Sequence, residues 1–120
     1  MGSGEHTLLK IYIGENDIYQ NKPLYVAVLE NARQFNITGC TVIRGISGLG
    51  ASGIIHSNFP PDYAVDLPLI IEIVDSNEKT SQLLNKLEPL LEGILITEEK
   101  VHVQFYQHQR LEAQDRGLKK

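Results

Sequence analysis

The strongest constraint on the fold is a glycine-rich segment that cannot open a helix. Residues 44–53 read RGISGLGASG, and Gly48, Gly50 and Gly53 within them spell the GxGxxG motif of dinucleotide-binding proteins. That motif binds a pyrophosphate only where it follows a strand and begins a helix. Residues 60–61 are both proline, and adjacent prolines do not fit a helix interior. The sequence therefore excludes a doubly wound dinucleotide-binding domain and predicts a long, flexible, glycine-rich loop.

Hydrophobic alternation predicts four strands. Leu9, Ile11 and Ile13 alternate with Lys10 and Tyr12, which is the period-two pattern of a strand. Residues 40–45 are rich in β-branched side chains and predict a second strand, and residues 67–75 predict a third. A fourth strand is expected to begin at position 101, where valine and phenylalanine alternate with polar residues.

Helical spacing predicts two helices between these strands. Apolar residues at 24, 28, 32 and 35 lie on one face of a first helix of about four turns. Asp75, with Glu78 three residues later, matches the capping box that begins a second helix. Leucines from 83 to 91 form the apolar face of that helix. Pro89 is expected to shorten its last turns, and Gly93 to end it.

The element order βαββαβ predicts an α+β, ferredoxin-like sandwich. Two right-handed crossovers give an antiparallel sheet with strand order 4-1-3-2 and both helices on one face. Ile70 and Val74 then lie on the opposite side of the third strand from Leu69, Ile71 and Ile73. We expect this open face to be covered by other copies of the chain. Coverage by the long loop or by the C-terminal residues is the alternative.

The length and composition indicate one small domain without a strongly basic surface. The chain has 120 residues and a net charge of −4, and its only run of basic residues is at 119–120; these features argue against nucleic acid as a partner. We assign 1–7 to a flexible N-terminus or cloning remnant, 8–106 to the domain and 107–120 to a polar tail. No secretory signal or membrane insertion is predicted, and the single cysteine, Cys40, fits the cytoplasm.

Candidate chemistry centres on Arg44 and the glycines that follow it. The Arg44 guanidinium and the backbone N–H groups of Gly45, Gly48, Gly50 and Gly53 could hold an anion. The alternative is a surface arginine beside a loop whose glycines provide only flexibility.

Other candidates are weaker because structural roles account for them. The four histidines, at 6, 56, 102 and 108, lack metal-ligand spacing within the chain, although residues of several subunits could converge. Glu15 and Asp17 are assigned to a loop. Glu72 is a carboxylate among apolar neighbours and therefore needs a partner or a raised pKa. We expect a structural thiol at Cys40, a reactive one being the alternative.

Four segments carry a resemblance to a known family. They are KIYIGE from Lys10, PLY from Pro23, GCTVIRGISGLG from Gly39 and LPLIIEIVD from Leu67. Over residues 8–106 the chain resembles domain of unknown function family 190 (DUF190), a branch of the PII-like superfamily. The RGIxGxG segment is the most specific part of this resemblance.

The resemblance implies a homotrimer of ferredoxin-like subunits whose sheets face inward. It also implies binding of an adenine nucleotide or another small anion in the clefts between subunits. Arg44, Gly45 and the Gly48–Gly53 loop match one side of that cleft. Lys100, placed just before the fourth strand, matches the phosphate-contacting lysine of the other side.

The function expected from the resemblance is a non-enzymatic regulatory or sensor protein without a cofactor. The 45–66 loop would carry the signal to a protein target. The alternative is a metal-handling protein or small enzyme whose site is formed across subunits by His56, His102 and Glu72.

Overall fold

The computed structural model describes residues 4–49, 55–57 and 66–104, and four long strands form its central sheet. These are β1 (Gly4–Gly14), β4 (Gly39–Arg44), β7 (Pro68–Asp75) and β8 (Leu95–Val103). All neighbours are antiparallel, in the order β4-β7-β1-β8. β1, β4, β7 and β8 correspond to the first, second, third and fourth predicted strands. Read from the β8 edge, the order is therefore the predicted 4-1-3-2, and the ferredoxin-like α+β architecture is confirmed.

Two helices and two small hairpins complete the described structure. The helices are α1 (Leu24–Gln34) and α2 (Asn77–Leu87), and a 3₁₀ turn at Glu88–Leu90 follows α2. One hairpin pairs β2 (Ile18–Tyr19) with β3 (Lys22–Pro23). The other pairs β5 (Ser47–Leu49) with β6 (Ile55–Ser57) and belongs to the predicted 45–66 loop. That loop therefore contains β-structure where the sequence predicted only a flexible segment.

The core lies between both helices and one face of the sheet. The central strands contribute Leu9, Ile11, Ile71 and Ile73, each at most 1% exposed, and α1 and α2 contribute Val28, Leu83 and Leu87, which are fully buried. Alternation within each strand determines which residues reach the helices. The predicted apolar faces of both helices are therefore confirmed.

The helix ends follow from local chemistry. Pro23 precedes α1, and Asn36 ends it with a positive φ of 54°. Around Asn36, the Ile37 N–H donates to the Ala32 carbonyl at 3.0 Å, as in a Schellman motif. Helix α2 ends at Leu87, immediately before the 3₁₀ turn that contains Pro89, and Gly93 follows with a φ of 76°. The predicted effect of Pro89 is confirmed, whereas the predicted end at Gly93 is wrong, because the helix stops at Leu87 and the 3₁₀ turn at Leu90.

Three predicted boundaries are wrong. Strand β8 begins at Leu95 rather than at 101, so Lys100 lies within the strand and not before it. Its charged residues suggested a loop, but charges are typical of an edge strand exposed to solvent. Strand β1 begins at Gly4, so residues 4–7 belong to the sheet rather than to a flexible N-terminus.

The third wrong boundary is the cap of α2, which is Ser76 rather than Asp75. The Lys79 N–H donates to Ser76 Oγ at 3.2 Å. Asp75 has a different role: its carboxylate is 2% exposed and accepts hydrogen bonds from the backbone N–H groups of Ser76 and Thr38. Asp75 thereby connects the end of β7 to the start of β4 and supports the beginning of α2.

The ionisation of Asp75 is coupled to folding. Burial alone would raise the pKa of Asp75, but the hydrogen bonds from Ser76 and Thr38 and the charge of Lys79, at 3.5 Å, outweigh burial and lower it. A lowered pKa in the folded state stabilises the protein above the unfolded pKa of about 4, and this contribution is lost as the pH falls through the folded value.

We therefore expect Asp75→Asn to lower the free energy of unfolding at pH 7 by about 1–3 kcal/mol, because charge-assisted hydrogen bonds are lost. Urea denaturation at pH 7 and at pH 3 measures the effect, which should shrink at the lower pH. Glu78→Gln, which removes an exposed carboxylate from the same helix, is the control. An equal loss at both pH values would contradict this role of the Asp75 charge.

Candidate functional site

Three segments meet at one end of the sheet, where the long loop leaves and rejoins it. They are the turn after β1 (residues 14–17), the end of β4 (44–45) and the start of β7 (66–68), and together we call them the loop base. The Glu15 N–H donates to the Leu67 carbonyl at 2.8 Å, and the Gly45 N–H donates to the Pro68 carbonyl at 2.7 Å. The two ends of the 45–66 loop are therefore fixed beside each other and beside β1.

Arg44 and Glu15 form the central ion pair of the loop base. Arg44 Nε lies 2.8 Å from Glu15 Oε2, and Arg44 Nη2 donates to Glu15 Oε1 at 3.2 Å. The hydrogen bond from Arg44, assisted by its charge and by the Leu67 N–H, lowers the pKa of Glu15, although partial desolvation acts in the opposite direction. The arginine side chain is 62% exposed and that of Glu15 is 21% exposed, so solvent reaches the guanidinium more easily than the carboxylate.

Two further carboxylates hold the turn after β1. Asp66 Oδ1 accepts from the Asn16 N–H at 2.8 Å, and Asp17 Oδ2 accepts from the Gly14 N–H at 2.9 Å. A Cβ on Gly14 would lie 2.5 Å from Asp66 Oδ2, so a side chain at this position would displace the Asp66 carboxylate. The carboxylates of Asp17 and Asp66 therefore satisfy backbone N–H groups of this turn that would otherwise need water.

Two glycines of the predicted anion-binding loop, Gly45 and Gly48, pack against one proline. A Cβ on Gly45 would lie 2.8 Å from Pro68 Cγ, and one on Gly48 would lie 3.0 Å from the same atom. Gly48 is also part of β5, where it pairs with His56. Gly50 and Gly53 lie outside the described residues. At Gly45 and Gly48, the absence of a side chain thus serves close packing at the loop base.

Lys100 lies far from Arg44 within one chain. Arg44 is on edge strand β4 and Lys100 is on the opposite edge strand, β8. The pairing places Arg44 in the row of Ile13 and Lys100 in the row of Thr7. Three steps between strands and six residues along β1 separate their Cα atoms by about 25 Å.

The surroundings of Lys100 are polar and of mixed charge. A surface cleft of about 420 Å³ is lined by Lys100 together with Glu5, Thr7, Asn77 and Glu98, among others. The register places Glu98 on the same side of β8 as Lys100, whereas Glu99 pairs with Leu8 and points to the open face. Although the two glutamates point to opposite faces of β8, both line the cleft beside Lys100.

The other sequence candidates are dispersed. His6, His102 and Glu72 lie on strands β1, β8 and β7, His56 is in β6, and His108 is outside the described residues. Among the residues that the structure describes, no three His, Cys, Asp or Glu side chains are grouped to hold a metal ion. Cys40 packs against the core, and burial raises the pKa of its thiol to about 11, so the thiol is protonated at neutral pH.

Sequence reasoning missed the roles of Glu15 and Asp66. Glu15 follows β1 and Asp66 precedes β7, and nothing local shows that Glu15 contacts Arg44 and Leu67 or that Asp66 accepts from the Asn16 N–H. The available signal was topological: adjacent antiparallel strands bring the end of β1 and the start of β7 to one edge of the sheet. On that basis, a carboxylate just after β1 could have been paired with an arginine at the end of β4.

Comparison with protein families matches residues 6–103 to a profile named DUF190 and described as uncharacterized ACR, COG1993. The chain belongs to the DUF190 family. A UPF0166 protein of Aquifex aeolicus (strain VF5) is 34% identical over 96 residues, which cover 80% of this chain and 90% of the relative. A UPF0166 protein of Methanocaldococcus jannaschii is 33% identical over 76% of this chain and 86% of the relative.

Solved structures similar to this DUF190 protein confirm the PII-like fold. One is CPII, a nitrogen regulatory PII-like protein from Thiomonas intermedia K12, bound to ADP, AMP and bicarbonate. It matches with a TM-score of 0.65 and 16% identity, over 84% of this chain and 90% of its own. A protein of Thermus thermophilus, described as a putative PII-like signaling protein, matches with a TM-score of 0.57 and 17% identity, over 86% and 92% of the two chains.

The packing of Gly45 against Pro68 can be tested by a double substitution. We expect Gly45→Ala to lower the free energy of unfolding by about 1–3 kcal/mol, because the new Cβ collides with Pro68 Cγ. Pro68→Ala removes that atom and should restore most of the loss in the double variant. Thermal and urea denaturation of all four proteins give the coupling, and strictly additive effects would contradict the contact.

Proposed function

We propose that this protein is a non-enzymatic regulatory or sensor protein that binds a small anion at the loop base. The observation that carries the proposal is the position of Arg44: its exposed guanidinium lies where the 45–66 loop leaves the sheet. A ligand bound there contacts the start of that loop directly. The chemical class is a phosphate-bearing anion, and an adenine nucleotide is the candidate.

The PII-like relatives support this ligand class. CPII from Thiomonas intermedia K12 binds ADP, AMP and bicarbonate, all of which are anions. At 16% identity that likeness concerns the fold, and the transfer of a ligand to this chain is our proposal. The cytoplasm is the proposed location, where such nucleotides are abundant and a single unpaired cysteine stays reduced.

The proposed site lies between subunits and includes Lys100 of a neighbouring copy. Within one chain the sheet holds Arg44 and Lys100 on opposite edges, too far apart for one small ligand. An edge strand of one copy beside the opposite edge of another brings the two cations together. Arg44 then offers a planar fork of donors and Lys100 a point charge, which suits the several oxygens of a di- or triphosphate.

We propose a homotrimer in which the open sheet faces are buried. Ile43, Ile70, Tyr12 and Leu95 form one apolar row across all four strands of that face. Ile43 is 41% and Leu95 63% exposed in the single chain. Burial of such a row removes apolar surface from water and is the usual driving force of subunit association.

The assembly can be tested by placing one charge on the open face. We expect Ile70→Glu to convert the oligomer to smaller species, because an unpaired carboxylate would be buried between sheets. Analytical ultracentrifugation gives the mass of each species. Ile18→Glu, at a 71% exposed position away from the central sheet, is the control. An oligomer that persists unchanged in Ile70→Glu would place the interface elsewhere.

The β5–β6 hairpin is the proposed signalling element. Ile46, immediately before β5, and Leu49, its last residue, are 72% and 69% exposed. Exposed apolar side chains in and beside a hairpin suit contact with a protein partner. The ligand at the loop base would change the order of this hairpin and thereby the surface that it offers.

Arg44→Ala tests the ligand and the signal together. We expect the wild type to gain protection from hydrogen exchange over residues 46–49 and 55–57 when ADP, AMP or ATP is added, and Arg44→Ala to lose this response. Arg33→Ala, which removes an exposed arginine from α1, should respond like the wild type. If none of the nucleotides raises the melting temperature of the wild type, the adenine nucleotide is the wrong ligand.

A further inference from the structure

The loop base contains an acceptor that already occupies the proposed anion site. The Glu15 carboxylate engages both Nε and Nη2 of Arg44. This is the edge of a guanidinium that a phosphate also uses, because both groups offer two oxygens at matching spacing. A phosphate and Glu15 cannot hold the same two donors at once.

Glu15 is also bound to the other end of the long loop. Its Oε1 atom accepts from the Leu67 N–H at 3.3 Å, and its own N–H donates to the Leu67 carbonyl at 2.8 Å. The same carboxylate therefore contacts residue 44, before the loop, and residue 67, after it. Glu15 itself follows β1, a central strand of the sheet, which gives it a fixed position.

We propose that Glu15 is an internal competitor for the anion site on Arg44, and that its displacement releases Leu67, immediately before β7. The inference rests on the proposed function and adds the means by which ligand binding reaches the loop. An anion takes the Arg44 donors, the Glu15 side chain withdraws, and the Leu67 N–H loses its side-chain acceptor. By linkage, the factor by which Glu15 weakens anion binding equals the factor by which the anion weakens the Glu15 contact.

Glu15→Gln tests this competition because glutamine keeps the size and one oxygen acceptor but removes the charge. We expect this variant to bind ADP and inorganic pyrophosphate about tenfold more tightly than the wild type in calorimetric titration. Glu88→Gln, which makes the same change of net charge at an exposed position on the 3₁₀ turn, should bind like the wild type. Arg44→Gln should bind neither probe.

Amide exchange at Leu67, measured by NMR, gives a second readout. In the wild type, either probe should raise the exchange rate at Leu67. In Glu15→Gln without a probe, exchange should already be faster than in the wild type, because the neutral side chain is a weaker acceptor. Equal exchange in the two proteins without a probe would overturn the inference, whatever the ligand is.

The outcomes separate this inference from the proposed function. If the wild type binds ADP through Arg44 but Glu15→Gln gains no affinity, the competition is wrong and the ligand proposal stands. If only pyrophosphate binds, and binds more tightly to Glu15→Gln, the competition stands and the nucleotide is wrong. If neither probe binds any variant, both proposals fall.

Discussion

Burial of only one face of the sheet is the constraint on which the rest of the structure depends. Ile11 and Ile71 pair across the two central strands and are completely covered by the helices. Both helices lie on that side of the sheet because each belongs to a crossover connection of the same hand. The other face keeps its apolar row without a layer over it in the described residues. The proposed assembly of several chains rests on this asymmetry.

The sequence was sufficient to predict those strands and helices whose hydrophobic periodicity is strong. Strands β1 and β7 and both helices could be predicted because burial alternates with the period of the element. The part of β8 before position 101 was not predicted as strand. Its Glu and Lys residues are typical of a solvent-exposed edge strand, and the same residues are common in loops. The cap at Ser76 was missed since Asp75, a residue equally suited to capping, is used instead to join β4 and β7.

The candidate site was harder to predict than the fold. Arg44 was identifiable because it precedes the glycines. Its partner Glu15 is 29 residues away in the sequence, and only the folding of the sheet brings the two side chains together. The positions of Gly45 and Gly48 suggested phosphate chemistry, whereas their close packing against Pro68 is a property of the fold. A motif shows which residues are unusual, and only the three-dimensional arrangement shows what each of them contacts.

The placement of Arg44 and Lys100 on opposite edges of one sheet has a consequence for the proposed site. A ligand that needed both cations would be held only by chains that had already met, so its occupancy would depend on the amount of the protein as well as on the amount of the ligand. At low abundance the same nucleotide level would leave the sites empty. Such a protein would report its own concentration together with that of its ligand.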